Sequence, residues 1–228
     1  MVRTFLIRVW LRVRYYHRGL SVSGTVLRVL RDVLAKVGIK IEPYYLMQEG
    51  FRANKPLYAE KTFTEKTFTE YEFGFLSTED MATIAALPDR DVAYDELVRR
   101  LQAGQVCFGV KCQGEIVAFT WCDFTECAFS SYHAFPLREN EAYLSDAYTV
   151  ESFRGKGIAS YTRYRCYQEL AKRGKTVLYS RTVSLNAPAM KFKNKLHAEV
   201  LESAVLVELF YRWRFSIRLR DYRNEPNR

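Results

Sequence analysis

The chain lacks a long hydrophobic run, although it has 228 residues and 48% of them are apolar. Arg, Lys, Asp or Glu interrupts every apolar stretch before it reaches the ~18 residues that a membrane-spanning helix needs. The sequence therefore predicts no transmembrane helix. Its apolar and aromatic content is sufficient for the core of one large domain, or of a domain with an extension.

Acidic residues are missing from the first twenty positions, MVRTFLIRVWLRVRYYHRGL, which hold five Arg. So many Arg in the apolar part argue against a secretory signal, although an organelle transit peptide has a similar composition and remains the alternative. We therefore expect a cytoplasmic protein.

Cysteine is scarce and odd in number, which in a chain without an export signal favours reduced thiols. Two pairs of cysteines have four intervening residues, a spacing that raises the alternative of a zinc site. Residues five apart on one strand point to opposite faces, however, so we expect no metal. The five are Cys107, Cys112, Cys122, Cys127 and Cys166.

Two nucleotide-binding motifs are also missing. The phosphate loop G-x-x-x-x-G-K-[ST] does not occur, and a dinucleotide fingerprint would need a glycine where Ser160 stands. That fingerprint also needs an acid ~20 residues further on, whereas the strand KTVLYSRTV contains none. Both absences exclude the commonest ways of binding a nucleotide.

What the sequence does contain is a basic, glycine-rich turn between a predicted strand and a predicted helix, YTVESFRGKGIAS at 148–160. Such a turn presents backbone N–H groups that have no helical carbonyl partner, so it can bind an anion. Gly155 and Gly157 allow close approach of a ligand, while Arg154 and Lys156 add positive charge. The alternative is an ordinary strand-to-helix turn.

Hydrophobic periodicity predicts a mixed α/β domain around this turn. An amphipathic helix is predicted over 23–37, followed by an extended stretch and a connector over 61–70. The regular pattern then begins, in the order strand, two helices, three strands, helix, strand, helix and two strands. A loop containing His133 is predicted before the third of the three strands.

The segment DAYTVESFRGKGIA resembles the acyl-CoA-binding motif [RQ]-x-x-G-x-[GA] of the GNAT superfamily of N-acetyltransferases, through Arg154, Gly157 and Ala159. The later segment SLNAPAMKFKNKLHAEVL is similar to the family's second segment, in which an Asn starts a helix. The resemblance implies a mostly antiparallel central sheet flanked by helices over residues 70–220. Residues 1–69 would form a basic N-terminal helical extension with a connector, and 221–228 a polar tail.

The resemblance also implies the chemistry and the cofactor. Family members transfer an acyl group, most often acetyl, from acyl-CoA to an amine. The pyrophosphate would lie on Arg154, Gly155, Lys156, Gly157, Ile158 and Ala159. The pantetheine arm would bind the strand at Tyr148, Thr149 and Val150, and Asn186 would help to hold the cofactor. The acceptor amine is not identified.

Catalysis by direct attack requires a base for the amine and favours an acid for the thiolate. Asp146 and Glu141, on the strand before the turn, are the candidate bases. His133 is a weaker candidate, and Asp146 could instead be a solvated carboxylate at a strand edge. The family's Tyr acid is replaced by Phe192 in this sequence. A GNAT-like module that binds acyl-CoA without turnover is therefore the alternative.

The net charge of +9 lies at the two ends, with +5 in residues 1–20 and +4 in residues 211–228. The run YRWRFSIRLR alternates apolar and basic residues, as a strand does. Its Arg row is predicted either to be a solvated face or to dock on an anionic membrane or an acyl carrier protein. Nucleic acid ranks last because no recognition motif accompanies the row.

Overall fold

The computed structural model describes residues 33–50, 69–88, 90–130, 133–184 and 186–223. Its strands are β1 Ile39–Glu49, β2 Tyr71–Phe75, β3 Val106–Cys112, β4 Glu115–Asp123, β5 Glu126–Ser130, β6 His133–Pro136, β7 Glu141–Thr149, β8 Val177–Val183, β9 Glu199–Leu209 and β10 Trp213–Asp221. Its helices include α1 Asp80–Ala85, α2 Tyr94–Gln102, α3 Ile158–Lys172 and α4 Ala187–Lys195.

The chain divides into two compact units. The larger unit comprises Leu46–Arg181 and Phe192–Leu201. The smaller unit comprises Met1–Tyr45, Thr182–Lys191 and Glu202–Arg228.

In the larger unit the strands lie in the order β8-β7-β4-β3-β2. Neighbouring strands are antiparallel except β7 and β8, which are parallel and are joined by the crossover helix α3. A parallel pair needs such a crossover, and a helix is its usual form. The turn that precedes α3 therefore lies at the end of a central strand.

Helices cover both faces of this sheet, as the alternation of its side chains requires. Phe119 and Trp121 of β4 pack against α1 and α2, in a cluster with Met81, Ile84 and Leu97. The opposite face packs against α3 in a second cluster, which contains Phe108, Cys122, Leu144, Cys166, Tyr167 and Leu170. Both clusters are buried, so the sheet is fixed on its two sides.

In the smaller unit, β10 pairs with β9 in antiparallel register, and β9 is followed by β1 in the strand order. The N–H of Phe210 donates to the carbonyl of Gly38, and the N–H of Ser184 donates to that of Pro43. Thus β1, which lies in the segment 1–69 that is predicted to be an extension, belongs to a sheet.

The mixed α/β class with a mostly antiparallel sheet is confirmed, and so is the order of the predicted elements. The region around His133 differs, because β5 and β6 form a hairpin where a loop is predicted. Of the predicted helix over 23–37, residues 23–32 lie outside the described residues. The domain boundaries stay a prediction. In the described part of the chain, no helix is long and apolar enough to cross a membrane.

Candidate acyl-CoA site

The turn between β7 and α3 contains both glycines of the motif. Gly155 and Gly157 have φ values of 81° and 82°, in the left-handed region that favours glycine. Gly157 is the N-cap of α3, and Tyr161 donates the first helical hydrogen bond to the Gly157 carbonyl. The N–H groups of residues 157–160 therefore precede the helical bonds and are available to a ligand.

β7 carries a β-bulge just before this turn. Ser145 lies opposite Trp121 and Tyr148 lies opposite Phe119, so two residues of β7 face one residue of β4. One of the two is Asp146, whose φ is 46°. Bulges redirect side chains and often lie beside active sites. The bulge therefore supports Asp146 as a candidate site residue.

Near the turn β7 pairs with β4, but its other edge extends beyond the described register with β8. Its parallel register with β8 covers 141–144 against 177–180. Val150 donates its N–H to Val117 of β4 at 2.9 Å. Since successive residues of a strand point their amides to opposite sides, the backbone of Thr149 faces the other edge.

Arg154 braces this edge. Its Nε donates to the carbonyl of Thr149 at 2.9 Å, and its guanidinium lies 5.8 Å from the centre of the Tyr148 ring. Of the three residues predicted to bind the pantetheine arm, Val150 already uses its N–H within the sheet. Thr149 is the residue whose backbone faces the unpaired edge.

The turn fits a diphosphate. A Cβ added at Gly155 would meet no heavy atom within 4 Å, so there is open space beside the backbone. Lys156 is exposed, and its Nζ lies 5.0 Å from the centre of the Phe153 ring. Backbone donors, open space and a cation thus occur together, and they are the features that an anion site at a helix N-terminus requires.

Asp146 is held by two arginines that sequence reasoning does not identify. Arg90 forms a bidentate pair with it, with distances of 2.7 Å and 2.6 Å, and Arg100 binds Oδ2 at 3.2 Å. Burial opposes the charge of Arg90, but the hydrogen bonds and the charge of Asp146 outweigh it and raise the pKa of Arg90. Asp146 is thus a fixed, ion-paired carboxylate.

These arginines rest on aromatic rings of the sheet. Arg90 lies 5.0 Å from the ring centre of Phe119 and 5.6 Å from that of Tyr148, and Arg100 lies 5.4 Å from that of Trp121. Cation–π contacts of this kind favour a guanidinium that lies over the ring. The carboxylate is therefore oriented from two sides.

A family model described as the acetyltransferase (GNAT) family matches residues 65–197, which is more than half of the chain. The chain belongs to the GNAT family of acetyltransferases. The resemblance predicted from the turn and the Asn helix is confirmed, and acyl-CoA is the co-substrate of this family. No match is found among curated proteins.

Two solved structures with a TM-score of 0.50 share the fold of this chain. A GNAT-family protein from Novosphingobium aromaticivorans is 20% identical with a TM-score of 0.50, and the match covers 75% of this chain and 66% of that one. A Drosophila protein is 15% identical with a TM-score of 0.50, and covers 82% and 57% respectively. A Salmonella typhimurium protein solved with acetyl-CoA is 18% identical with a TM-score of 0.43, and covers 56% and 79%. The chain thus spans less than two thirds of the first two relatives.

Glu141, the other predicted base, is not brought to the turn. It begins β7, and the eight residues up to Thr149 extend over about 26 Å. Its carboxylate accepts hydrogen bonds from the Arg138 N–H at 2.9 Å and from the Tyr179 hydroxyl at 3.1 Å. Burial and Glu141 raise the pKa of Tyr179. His133 begins β6.

Asn186 caps α4, as the GNAT resemblance leads one to expect of a residue that starts a helix. Its Oδ1 accepts the N–H of Ala189 at 3.2 Å. Its predicted contact with the cofactor stays a prediction. Phe192, where the sequence resemblance predicts the family's Tyr acid, has the Arg163 guanidinium 5.6 Å and the Lys193 Nζ 5.5 Å from its ring centre.

A second ion-paired carboxylate, Glu49, lies at the end of β1 ahead of the GNAT match. Its side chain is fully buried and binds Lys193 of α4 and the hydroxyl of Tyr167 of α3. Arg163 of α3 lies 3.6 Å away and has no hydrogen-bond partner for its Nε and Nη1 atoms. Two buried cations therefore share one carboxylate.

The charges of this cluster are coupled. Burial alone would raise the pKa of Glu49, but Lys193 and Arg163 outweigh it and lower the pKa to about 2. Burial lowers the pKa of Lys193 to about 8, because Glu49 cannot compensate both cations. We infer that Glu49 is ionised and that Lys193 is the group that gives up its proton most easily.

The five cysteines are all free thiols, and four of them are buried. The Sγ atoms of Cys122 and Cys166 are 3.6 Å apart. Within the residues that the structure describes, no group of three His, Cys, Asp or Glu side chains is placed to hold a metal ion.

Proposed function

We propose that this GNAT-family protein is an N-acyltransferase that moves an acetyl or other acyl group from acyl-CoA to an amine. The observation that carries the proposal is the turn at the end of β7. There the amides of residues 157–160 have no helical partner, Gly155 and Gly157 have positive φ, and the space beside Gly155 is open. These groups would hold the pyrophosphate, and the unpaired edge at Thr149 would receive the pantetheine arm.

The reaction proceeds by direct attack. Acyl-CoA supplies the thioester. The amine nitrogen forms a bond to the carbonyl carbon, the carbon–sulfur bond breaks, the nitrogen loses a proton and the departing thiolate takes one up. Because Phe192 has no hydroxyl, we assign no side-chain acid to the thiolate and let it be protonated by water.

We assign Asp146 as the base that accepts the proton of the amine. An ionised carboxylate has about four lone-pair positions. Arg90 and Arg100 use one on Oδ1 and two on Oδ2, which leaves one on Oδ1 for a substrate N–H. The arginines would hold the carboxylate in place while that position accepts the proton. Glu141 is too far along β7 to share this role.

Gly157→Asp tests the cofactor site. The new side chain would bring a carboxylate to the position of the pyrophosphate, so binding of acetyl-CoA in a calorimetric titration should be lost. Gly114→Asp is the matched control, since Gly114 has the same φ of 82° and open space, but lies in the β3–β4 turn. A folded Gly157→Asp protein that binds acetyl-CoA as the wild type does would refute the proposal.

Turnover is tested with a panel of amines, including polyamines, amino-sugar antibiotics and peptides with a free N-terminus, by following thiol release from acetyl-CoA. We expect at least one class to accelerate release above the rate in water. If acetyl-CoA binds but no amine accelerates release, the protein is a binding module, the alternative that Phe192 favours. The free cysteines agree with the cytoplasm as the site of action.

A further inference from the structure

The exposed apolar side chains are concentrated in one part of the molecule. Among the described residues, ten large hydrophobic side chains are exposed, and nine of them belong to the smaller unit. The tenth, Tyr94, belongs to the larger unit. Six of the nine lie in the β9–β10 hairpin, namely Phe210, Tyr211, Trp213, Phe215, Ile217 and Leu219. Such a concentration marks a binding surface more often than chance exposure does.

The tip of this hairpin holds two aromatic residues in an unusual conformation. Phe210 and Tyr211 have φ values of 54° and 59°, and bulky residues rarely adopt this region. The Phe210 N–H donates to Gly38 and the Tyr211 hydroxyl donates to Ala35 at 3.3 Å, so the conformation is fixed by neighbours. Phe210 is nevertheless 65% exposed. Backbone strain that displays an aromatic side chain to solvent points to a function of that side chain.

The strands behind the tip form one apolar face. Residues that lie directly opposite each other in an antiparallel pair have their side chains on the same face. The opposed pairs here are Trp213 with Leu209, Phe215 with Val207 and Ile217 with Val205. The hairpin therefore presents a continuous strip of apolar side chains behind the two aromatic residues of its tip.

The arginines of the β9–β10 hairpin differ in their partners. Arg214 binds Glu208 and Arg218 binds Glu202, both at 2.9 Å, so these two compensate nearly buried carboxylates of β9. Arg212 lies 5.8 Å from the ring centre of Trp213, and Arg220 lies 4.9 Å from that of Tyr222. Residues 199–223 carry five Arg against three Glu and one Asp, so the hairpin keeps a net charge of +1, and all of its basic residues lie in 212–223.

We propose that the apolar face of the β9–β10 hairpin docks on an anionic lipid membrane. Phe210 and Trp213 enter the interfacial layer, where aromatic side chains are favoured, and Arg212 and Arg220 meet the lipid headgroups. A second copy of the chain is disfavoured, because β10 is the outermost strand and antiparallel pairing with itself would bring Arg rows together. An acidic protein would match the arginines but not the exposed apolar strip.

Vesicle sedimentation with the full chain tests the proposal. The wild type should bind vesicles of phosphatidylcholine and phosphatidylglycerol in a two-to-one ratio, and bind pure phosphatidylcholine much more weakly. Phe210→Ser/Trp213→Ser should lower the partition coefficient at least about tenfold, because it removes apolar area from the interface. Tyr94→Ser, an exposed aromatic residue of the larger unit, is the matched control and should leave binding unchanged.

A second variant covers the case in which the aromatic variant does not fold. Arg212→Gln/Arg220→Gln should weaken binding to anionic vesicles by about tenfold or more at low salt, and the difference should shrink at high salt. Acetyl-CoA affinity, measured in parallel, should be the same in all variants. The two measurements thus distinguish a failure of the docking proposal from a failure of the proposed acyl transfer.

Four outcomes would overturn the docking proposal. The wild type could fail to bind anionic vesicles at low salt, or bind them equally well without the two aromatic side chains. It could sediment as a dimer that these substitutions dissociate, which would assign the face to a second copy. It could also bind an acidic acyl carrier protein in place of vesicles, which would assign the face to a protein partner.

Discussion

Two carboxylates of the larger unit each face two basic side chains, and they differ in their access to water. Glu49 is shielded completely and shares its charge between Lys193 and Arg163. The side chain of Asp146 is 27% exposed and is bound by Arg90 and Arg100. Glu49 is one anion for two buried cations, whereas Arg100 also binds Glu96, so the charges around Asp146 are balanced and partly solvated.

This difference separates stability from function. A buried excess charge is costly and depends on its counterion, since no water replaces a lost partner. A partly exposed carboxylate can be approached by a substrate, and water moderates the cost of changing its partners. We therefore expect Glu49 to matter mainly for folding and Asp146 mainly for turnover.

The largest expected effect is that of Glu49→Gln on stability. The substitution keeps the shape but leaves Lys193 and Arg163 buried without an anion, so the free energy of unfolding should fall by about 3–5 kcal/mol. Urea denaturation measures it. Glu49→Gln/Lys193→Met removes one of the two cations and should regain part of the loss. A single variant as stable as the wild type would show that water compensates the cluster.

The next effect is that of Asp146→Asn on turnover. Loss of the proton acceptor should lower kcat by ~10²-fold, while acetyl-CoA affinity stays nearly unchanged. The free energy of unfolding should fall by about 1 kcal/mol, since the site is partly exposed. Steady-state kinetics with the best amine of the panel, together with calorimetry, measures both. Wild-type kcat across the pH range would leave Asp146 with a structural role alone.

A smaller effect should appear in the pH dependence of stability. The pKa of Lys193 is lowered from 10.5 to about 8 in the folded chain, among Glu49, Arg163 and the hydroxyl of Tyr167. Between these values the unfolded chain holds more protons, so this contribution to stability increases as the pH rises.

Comparison of the wild type with Lys193→Met isolates that contribution. The difference in free energy of unfolding between the two proteins should change by on the order of 1 kcal/mol from roughly pH 7.5 to 9.5, in favour of the wild type at the higher pH. Denaturation in matched buffers measures it. Parallel curves would mean that Lys193 has an ordinary pKa in the folded chain.

The smallest effect is expected for Arg100→Gln. Arg100 is partly exposed and binds both Glu96 and Asp146 at 3.2 Å, so its removal should change the free energy of unfolding by less than about 1 kcal/mol. Added salt should reduce the change further. Arg90→Gln is the comparison, because that bidentate side chain is nearly buried and its loss should cost more. Equal costs would mean that burial does not distinguish the two arginines.

Local signals account for what the sequence predicts correctly. The turn at Gly155 and Gly157 combines glycine, a preceding strand and a following helix within thirteen residues, so its anion-binding geometry can be foreseen. The alternation in β10 likewise identifies a strand and its two faces. Periodicity and turn residues are short-range properties, and they determine these elements largely on their own.

Long-range pairing accounts for what the sequence does not reveal. Asp146 is 56 positions from Arg90 and 46 from Arg100, and Arg100 has a closer apparent partner in Glu96, four positions earlier on the same helix. The β5–β6 hairpin is short and has no clear alternation, so it reads as a loop. Which strand β1 joins is equally invisible in its own residues.

The position of Glu49 has a consequence for the order in which the chain can fold. Glu49 and Lys193 are 144 positions apart, so a ribosome completes nearly all of the matched family segment before the two can meet. Contacts of such high sequence separation form late, because the loop between them must first be ordered. A nascent chain that already contains α3 but not yet α4 would carry Arg163 beside a carboxylate that has not received its main partner. Partly synthesised chains should therefore be the form most exposed to chaperones and proteases.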